Sequence, residues 1–113
     1  MISRSQFSFF HRLRVRWAEV DLQRVVFNGN YLLYFDVAFT EYWRHTRLPD
    51  PLAQQAAGAE LFVRKAQIEY HGSAGFDDEV DIGGRRARLG RSSMTMALAI
   101  FRGDEHLIDG VLV

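Results

Sequence analysis

The sequence predicts an α+β domain in which one long apolar helix is wrapped by a curved antiparallel sheet. Three observations predict it: residues 31–46 form an apolar run without glycine or proline, strand-like segments with turn residues between them follow, and no second long run of helical character exists. The chain has 113 residues and no shift in composition that would mark a linker, so a single domain over residues 1–113 with one core is expected.

The first strand is read over residues 8–17, where Leu13, Val15 and Trp17 alternate with Arg12, Arg14 and Arg16, giving one dry and one wet face. Residues 18–30 carry two acids, a glycine and two asparagines, which suits an irregular connection ending at a helix cap, Asn28 or Asn30. The helix over residues 31–46 is followed by Pro49 and Pro51 as stop signals. Its clearly polar positions, Asp36, Thr40, Glu41 and Arg44, lie on one narrow stripe, so most of the circumference is apolar and the helix must be enclosed.

After a loop through Ala56, Ala57 and Gly58, strands are read at residues 61–71, 79–89, 93–102 and 106–113. Residues 72–75 and 103–105 supply turns, which make consecutive strands antiparallel. Gly83 and Gly84 inside a strand pattern mark a bulge or sharp bend, as a sheet that wraps a helix requires. Residues 110–113 end within an apolar strand pattern without a turn signal, and the last strand is expected to be cut short there.

Composition narrows the function. Fourteen basic residues cancel fourteen acidic ones, which argues against a nucleic-acid partner and leaves only local anion sites. There is no cysteine, hence no disulfide, thiolate nucleophile or cysteine-rich zinc site. The four histidines, His11, His45, His71 and His106, are scattered without metal-ligand spacing, so no metal is expected, and His71 is read as structural or exposed. Neither a signal peptide nor a membrane span is legible, and a cytoplasmic protein is expected. An apolar share of 48% with nine phenylalanines is high for this length and points to self-association.

Chemistry is placed at the junction between the first strand and the helix. The first-turn N–H groups of a helix lack internal partners and carry partial positive charge, so they can stabilise an oxyanion on a carbonyl substrate. Asp21 stands beside them, two residues after Glu19, and a carboxylate there can attack the carbonyl or deprotonate a water. An aspartate in such a place commonly serves as a turn residue, and on the residues alone both readings stay open.

The run from Arg16 to Tyr31 resembles the opening of the 4-hydroxybenzoyl-CoA thioesterase family of hotdog-fold proteins. Glu19 and Asp21 match its spaced acidic pair, Val25-Val26-Phe27 its aliphatic stretch, and Asn30-Tyr31 the start of its central helix. Residues 66–70, 76–80 and 89–93 are also similar, so the resemblance spans nearly the whole chain. It implies an acyl-CoA thioesterase with the catalytic carboxylate on Asp21, as nucleophile or general base, and a carbonyl-polarising N–H on Asn28. It further implies a homodimer or dimer of dimers with the site at the subunit interface, no cofactor, and coenzyme A only as part of the substrate.

Substrate contacts are assigned to Arg24, Phe27 and Tyr31 near the junction. Arg88, Arg91 and Ser92 lie in an arginine-rich stretch, with Arg85 and Arg86, suited to nucleotide phosphates; Arg64 and Lys65 are lesser candidates. Tyr31 and Tyr34 are read as exceptions to an otherwise core-forming aromatic stripe.

The sequence also departs from the family. Asn28 stands where some relatives carry a histidine, and an amide cannot act as a base. Arg24 stands where glycine is usual, at a position that demands unusual backbone angles. Leu22 replaces a proline or small residue. These departures keep a non-catalytic or acyl-carrier-linked acyl-thioester-binding protein open as an alternative. Dehydration of a 3-hydroxyacyl thioester is a third reading, but it usually requires a histidine beside the helix start.

Overall fold

The computed structural model describes residues 2–46, 63–89 and 93–113. Its elements are β1 (Phe9–Arg14), α1 (Asn30–Thr46), β2 (Ala66–Tyr70), β3 (Glu79–Leu89), β4 (Met94–Arg102) and β5 (Glu105–Leu112), with short 3-10 turns at Arg4–Gln6 and Trp17–Glu19. The five strands form one sheet in the order β1-β3-β4-β5-β2, and every pairing is antiparallel. α1 lies across one face of it, the arrangement named in the hotdog fold.

Alternation along each strand decides which side chains meet the helix. Val80 and Ile82 of β3, Met96, Leu98 and Ile100 of β4, and Ile108 of β5 are buried with Tyr31, Tyr34, Phe35 and Ala38 of α1 in one cluster. The approach is close because β5 carries Gly110 at the contact. A Cβ there would fall 2.6 Å from Phe35 Cε2 and 2.6 Å from the Gln67 carbonyl oxygen, well inside van der Waals contact. The opposite, outer face holds a smaller cluster of Phe7, Ala99 and Phe101.

The structure corrects several expectations. β1 ends at Arg14 rather than continuing to Trp17. Val15 remains buried and bonded to the residues before β3, its N–H donating to the Asp78 carbonyl at 2.9 Å, but Trp17 turns outward on the 3-10 turn and is 63% exposed. The irregularity in β3 lies between Arg86 and Arg88, not at the glycine pair. Gly83 instead admits an aromatic ring, since a Cβ there would sit 2.8 Å from Phe7 Cγ.

The helix is enclosed on one side only. Tyr31, Tyr34, Phe35, Ala38 and Trp43 are buried, whereas Leu32, Leu33 and Val37 are exposed. The sheet has a single face to offer, so the other side of an apolar helix needs a different cover. Neither asparagine side chain caps α1 among the described residues; the Asn30 amide donates to the Glu19 carbonyl instead. The expected proline stops and the loop at residues 56–58 lie outside the described residues. None of the described helices is long and apolar enough to cross a membrane.

Candidate active site

Between β1 and α1 the chain folds into a small hairpin. Val20 and Val26 bridge in antiparallel fashion, the Asp21 N–H donates to the Val25 carbonyl at 3.0 Å, and the Arg24 N–H donates to the Asp21 carbonyl at 2.9 Å. These bonds close a tight turn over residues 21–24, and the residue that ends such a turn must enter the left-handed region. Arg24 does so, with φ 65°. The position therefore has the geometry for which glycine is suited, and arginine occupies it under strain.

Asp21 has two jobs to divide between its oxygens. Oδ1 accepts the Gln23 N–H at 2.8 Å, the ordinary turn-forming bond of an aspartate. Oδ2 has no partner among the described residues, and the side chain is exposed. The turn thus fixes the carboxylate while leaving one oxygen available for chemistry.

Two anchors hold the hairpin. On one side Val26 donates to the Ala74 carbonyl at 2.9 Å, and Phe76 donates to the Arg24 carbonyl at 3.1 Å. On the other stands Glu19, whose backbone carbonyl accepts the Phe27 N–H at 3.0 Å and the Asn30 side-chain amide at 2.9 Å. Its carboxylate accepts the Tyr34 hydroxyl at 2.9 Å and both the backbone and guanidinium of Arg16 at 2.8 Å.

Burial by itself would raise the Glu19 pKa, but the bonds from Arg16 and Tyr34 outweigh it and hold the carboxyl below its ordinary 4.5. Burial, and then the adjoining Glu19 carboxylate, push the Tyr34 hydroxyl far up. Tyr34 therefore stays a neutral donor.

The helix start faces outward. Asn30 donates to the Phe27 carbonyl at 2.8 Å and Tyr31 to the Asn28 carbonyl at 3.3 Å. The N–H groups of Asn28 and Gly29 have no acceptor among the described residues, and both residues are exposed. Two consecutive free donors thus sit at the positive end of the α1 dipole. The Tyr70 hydroxyl, from β2, points at the Asn28 carbonyl from 3.5 Å.

The structure therefore gathers Asp21, Arg24, Phe27 and Asn28 on one exposed junction. Arg24 makes no ion pair with Asp21. Tyr31 does not join them: it is 1% exposed, and its hydroxyl accepts the Ala74 N–H at 3.1 Å, so within one chain it is a core residue, as is Tyr34.

Arg88 is exposed near the far end of β3. The strand's first residues lie beside the loop that holds the hairpin, so at about 3.3 Å per residue Arg88 stands roughly 30 Å away along the same chain. Arg91 and Ser92 lie outside the described residues.

Sequence reasoning did not find the anchoring role of Glu19 or its partner Tyr34. A faint signal existed in the Arg16 to Glu19 spacing, because an acid three residues on can reach back to the free N–H that opens the 3-10 turn, as Glu19 does to Arg16. The histidines, which look scattered in sequence, are not all apart: the His71 and His106 rings lie 4.8 Å from each other, centroid to centroid.

Comparison with known proteins follows the same lines. Residues 23–108 match the profile of the thioesterase superfamily. The acyl-CoA thioester hydrolase YbgC of Escherichia coli is 28% identical over 100 residues, covering 86% of this chain and 72% of the relative. The crystal structure of a hypothetical protein from Aquifex aeolicus aligns with a TM-score of 0.85 at 27% identity, covering 92% of this chain and 84% of that one. That of a probable thioesterase from Bartonella henselae aligns with a TM-score of 0.83 at 27% identity, covering 92% and 86%.

Proposed function

The chain belongs to the thioesterase superfamily, and from that premise we propose that it hydrolyses the thioester of an acyl-coenzyme A to a free carboxylic acid and coenzyme A. One observation carries the reading: a carboxylate with an unengaged oxygen, Asp21 Oδ2, shares one hydrogen-bonded junction with the free N–H groups that open α1. The name of the E. coli relative, an acyl-CoA thioester hydrolase, supports the substrate class.

In this proposal the thioester oxygen takes the Asn28 N–H, whose partial charge stabilises the oxyanion as the carbonyl carbon becomes tetrahedral. Asp21 acts in one of two ways. As nucleophile it forms a mixed anhydride, which water then opens; as general base it takes a proton from the attacking water. Either way the carbon–sulfur bond breaks, the thiolate of coenzyme A is protonated, and water supplies the acid's new oxygen. The Asn28 side chain has no part in proton transfer.

Two copies are part of the reading. Phe27, Leu33, Val37 and Tyr70 leave apolar surface exposed around the junction, which a second chain would cover. Arg88 stands near the far end of its own β3, and in this reading the phosphate contacts expected of Arg88, Arg91 and Ser92 come from the second copy. A cytoplasmic setting belongs to the same proposal.

The test is thiol release from aromatic, short and long acyl-CoA substrates by the native protein and by Asp21→Asn. The variant should stay folded and lose roughly a thousandfold or more in turnover. Unaltered turnover overturns the mechanism. Thioester binding without thiol release by the native protein would instead favour a non-catalytic acyl-thioester-binding role.

A further inference from the structure

On the outer face of the sheet, turned away from α1, three potential ligand atoms converge. His71 Nε2 lies 2.6 Å from Asp109 Oδ1, and His106 Nε2 lies 3.3 Å from the same oxygen. The ligating atoms of the three residues all fall within 4.8 Å of one another. Glu69 pairs with Asp109 across the β2–β5 ladder, and its carboxylate reaches to 3.9 Å from His71 Nε2.

Regular strand geometry would not produce this cluster. His106 and Asp109 are three apart on β5, and residues so spaced face opposite sides of a strand. The β4–β5 register slips here: Ile100 pairs with Ile108 but Phe101 pairs with His106, leaving Leu107 as an extra residue. This bulge turns His106 to the face of Asp109. It also places the third residue, because the Leu107 carbonyl accepts the N–H of His71 at 2.8 Å and of Gly72 at 3.0 Å.

The cluster is incomplete as it stands. His106 Nε2 is buried and makes no hydrogen bond; Asp109 Oδ1 is near it but is not aligned for one. A buried imidazole nitrogen without a partner carries a desolvation cost. A cation between the two rings and the carboxylate would satisfy all three groups.

The chemistry of the donors selects the cation. Two imidazoles and a carboxylate suit zinc and its transition-metal neighbours, whereas magnesium and calcium take all-oxygen sets. Tetrahedral bonds of about 2.0–2.1 Å put ligand atoms roughly 3.3 Å apart. The His106–Asp109 pair already has that spacing. His71, whose side chain is 44% exposed, has room to turn, moving its Nε2 out from the 2.6 Å it holds to Asp109 Oδ1 and in toward His106 from a spacing of up to 4.8 Å.

We propose that His71, His106 and Asp109 bind a single divalent cation of the zinc class, with Glu69 or water completing the shell. The site ties the edge strand β2 to β5 and opens on a cleft of about 870 Å³ that Ser3 and Ser5 also line. It is separate from the junction at Asp21.

The test uses untagged full-length protein, stripped with chelator and then freed of it. Calorimetric titration with zinc should give one site per chain, cobalt should give visible ligand-field absorption, and magnesium should give neither. Asp109→Asn and His106→Ala should each weaken zinc binding more than roughly 100-fold, beyond the usual effect of losing a supporting partner. His71→Gln, at an exposed position, should do the same while retaining the native circular dichroism, so a folding defect in the other variants does not obscure the outcome. Absence of saturable zinc binding overturns the proposal. So does zinc affinity unchanged by His71→Gln, or lost instead with His11→Gln or His45→Gln.

Discussion

The Tyr34 hydroxyl donates to the Glu19 carboxylate at 2.9 Å, tying the second turn of α1 to the segment that carries Asp21 two residues later. Helix and hairpin meet through this bond and through the Glu19 carbonyl, which accepts the Asn30 amide. Tyr34→Phe should cost about 1.5–3 kcal/mol of stability, the usual range for a hydrogen bond to a charged group. It should also lower thioester turnover roughly tenfold, because a small displacement of the reacting groups is expensive in rate. Urea midpoints and thiol release measure the two effects. A loss of stability with full turnover would show that Glu19 does not hold Asp21 in place.

In the proposed mechanism Asn28 offers its backbone N–H to the thioester, and its side-chain amide is not a base. Asn28→Ala keeps the N–H and should reduce kcat less than tenfold, in contrast to Asp21→Asn. A loss comparable to that of Asp21→Asn would assign the side-chain amide a direct role in positioning water or the thioester.

Arg24 holds φ 65° at the end of the turn. Glycine relieves the steric cost of that conformation but adds freedom to the unfolded chain, so the two effects partly offset. Arg24→Gly should raise stability by up to about 1 kcal/mol, seen as a higher melting temperature. Should stability fall instead, the arginine side chain makes a compensating contact.

Acid should unfold the protein through its bonded carboxylates. The bonds from Arg12, then from Arg4, hold the Asp81 carboxyl below its ordinary 3.8 against the opposing effect of burial, and Glu19 lies below 4.5. The folded state thus binds fewer protons than the unfolded one, so stability rises with pH in this range. It is fully present above the unfolded values and is lost as pH falls through the folded ones. Urea midpoints should be level from pH 7 to about 5 and decline below about 4.5, with a shallower decline for Asp81→Asn. A midpoint that stays level down to pH 3 would contradict this.

Much of the architecture was legible in the order of residues. The apolar run of α1, the strand alternation and the Gly103-Asp104-Glu105 turn are local signals, and the last is realised with Gly103 at φ 60° between paired Arg102 and Glu105. The Asp21 junction was legible for the same reason, since turn, carboxylate and helix start lie within ten residues of chain. The unusual angle at Arg24 was expected only through the family resemblance, which has glycine at that position.

Contacts between distant segments were not legible. Sequence periodicity states that α1 is apolar, but not that the sheet covers only one side and leaves Leu33 and Val37 exposed. It assigns Trp17 to a dry face that the 3-10 turn then rotates to solvent. It separates His71 from His106 by 35 positions and places His106 opposite Asp109, because a period of two carries no information about the bulge at Leu107. The sequence by itself determined the elements, their order and the turn that sets Asp21 beside the helix start, all of which depend on neighbouring residues. Only the tertiary structure decided which faces were covered, that Glu19 anchors the junction, and that the histidines meet, because those outcomes depend on strand register and packing across the chain.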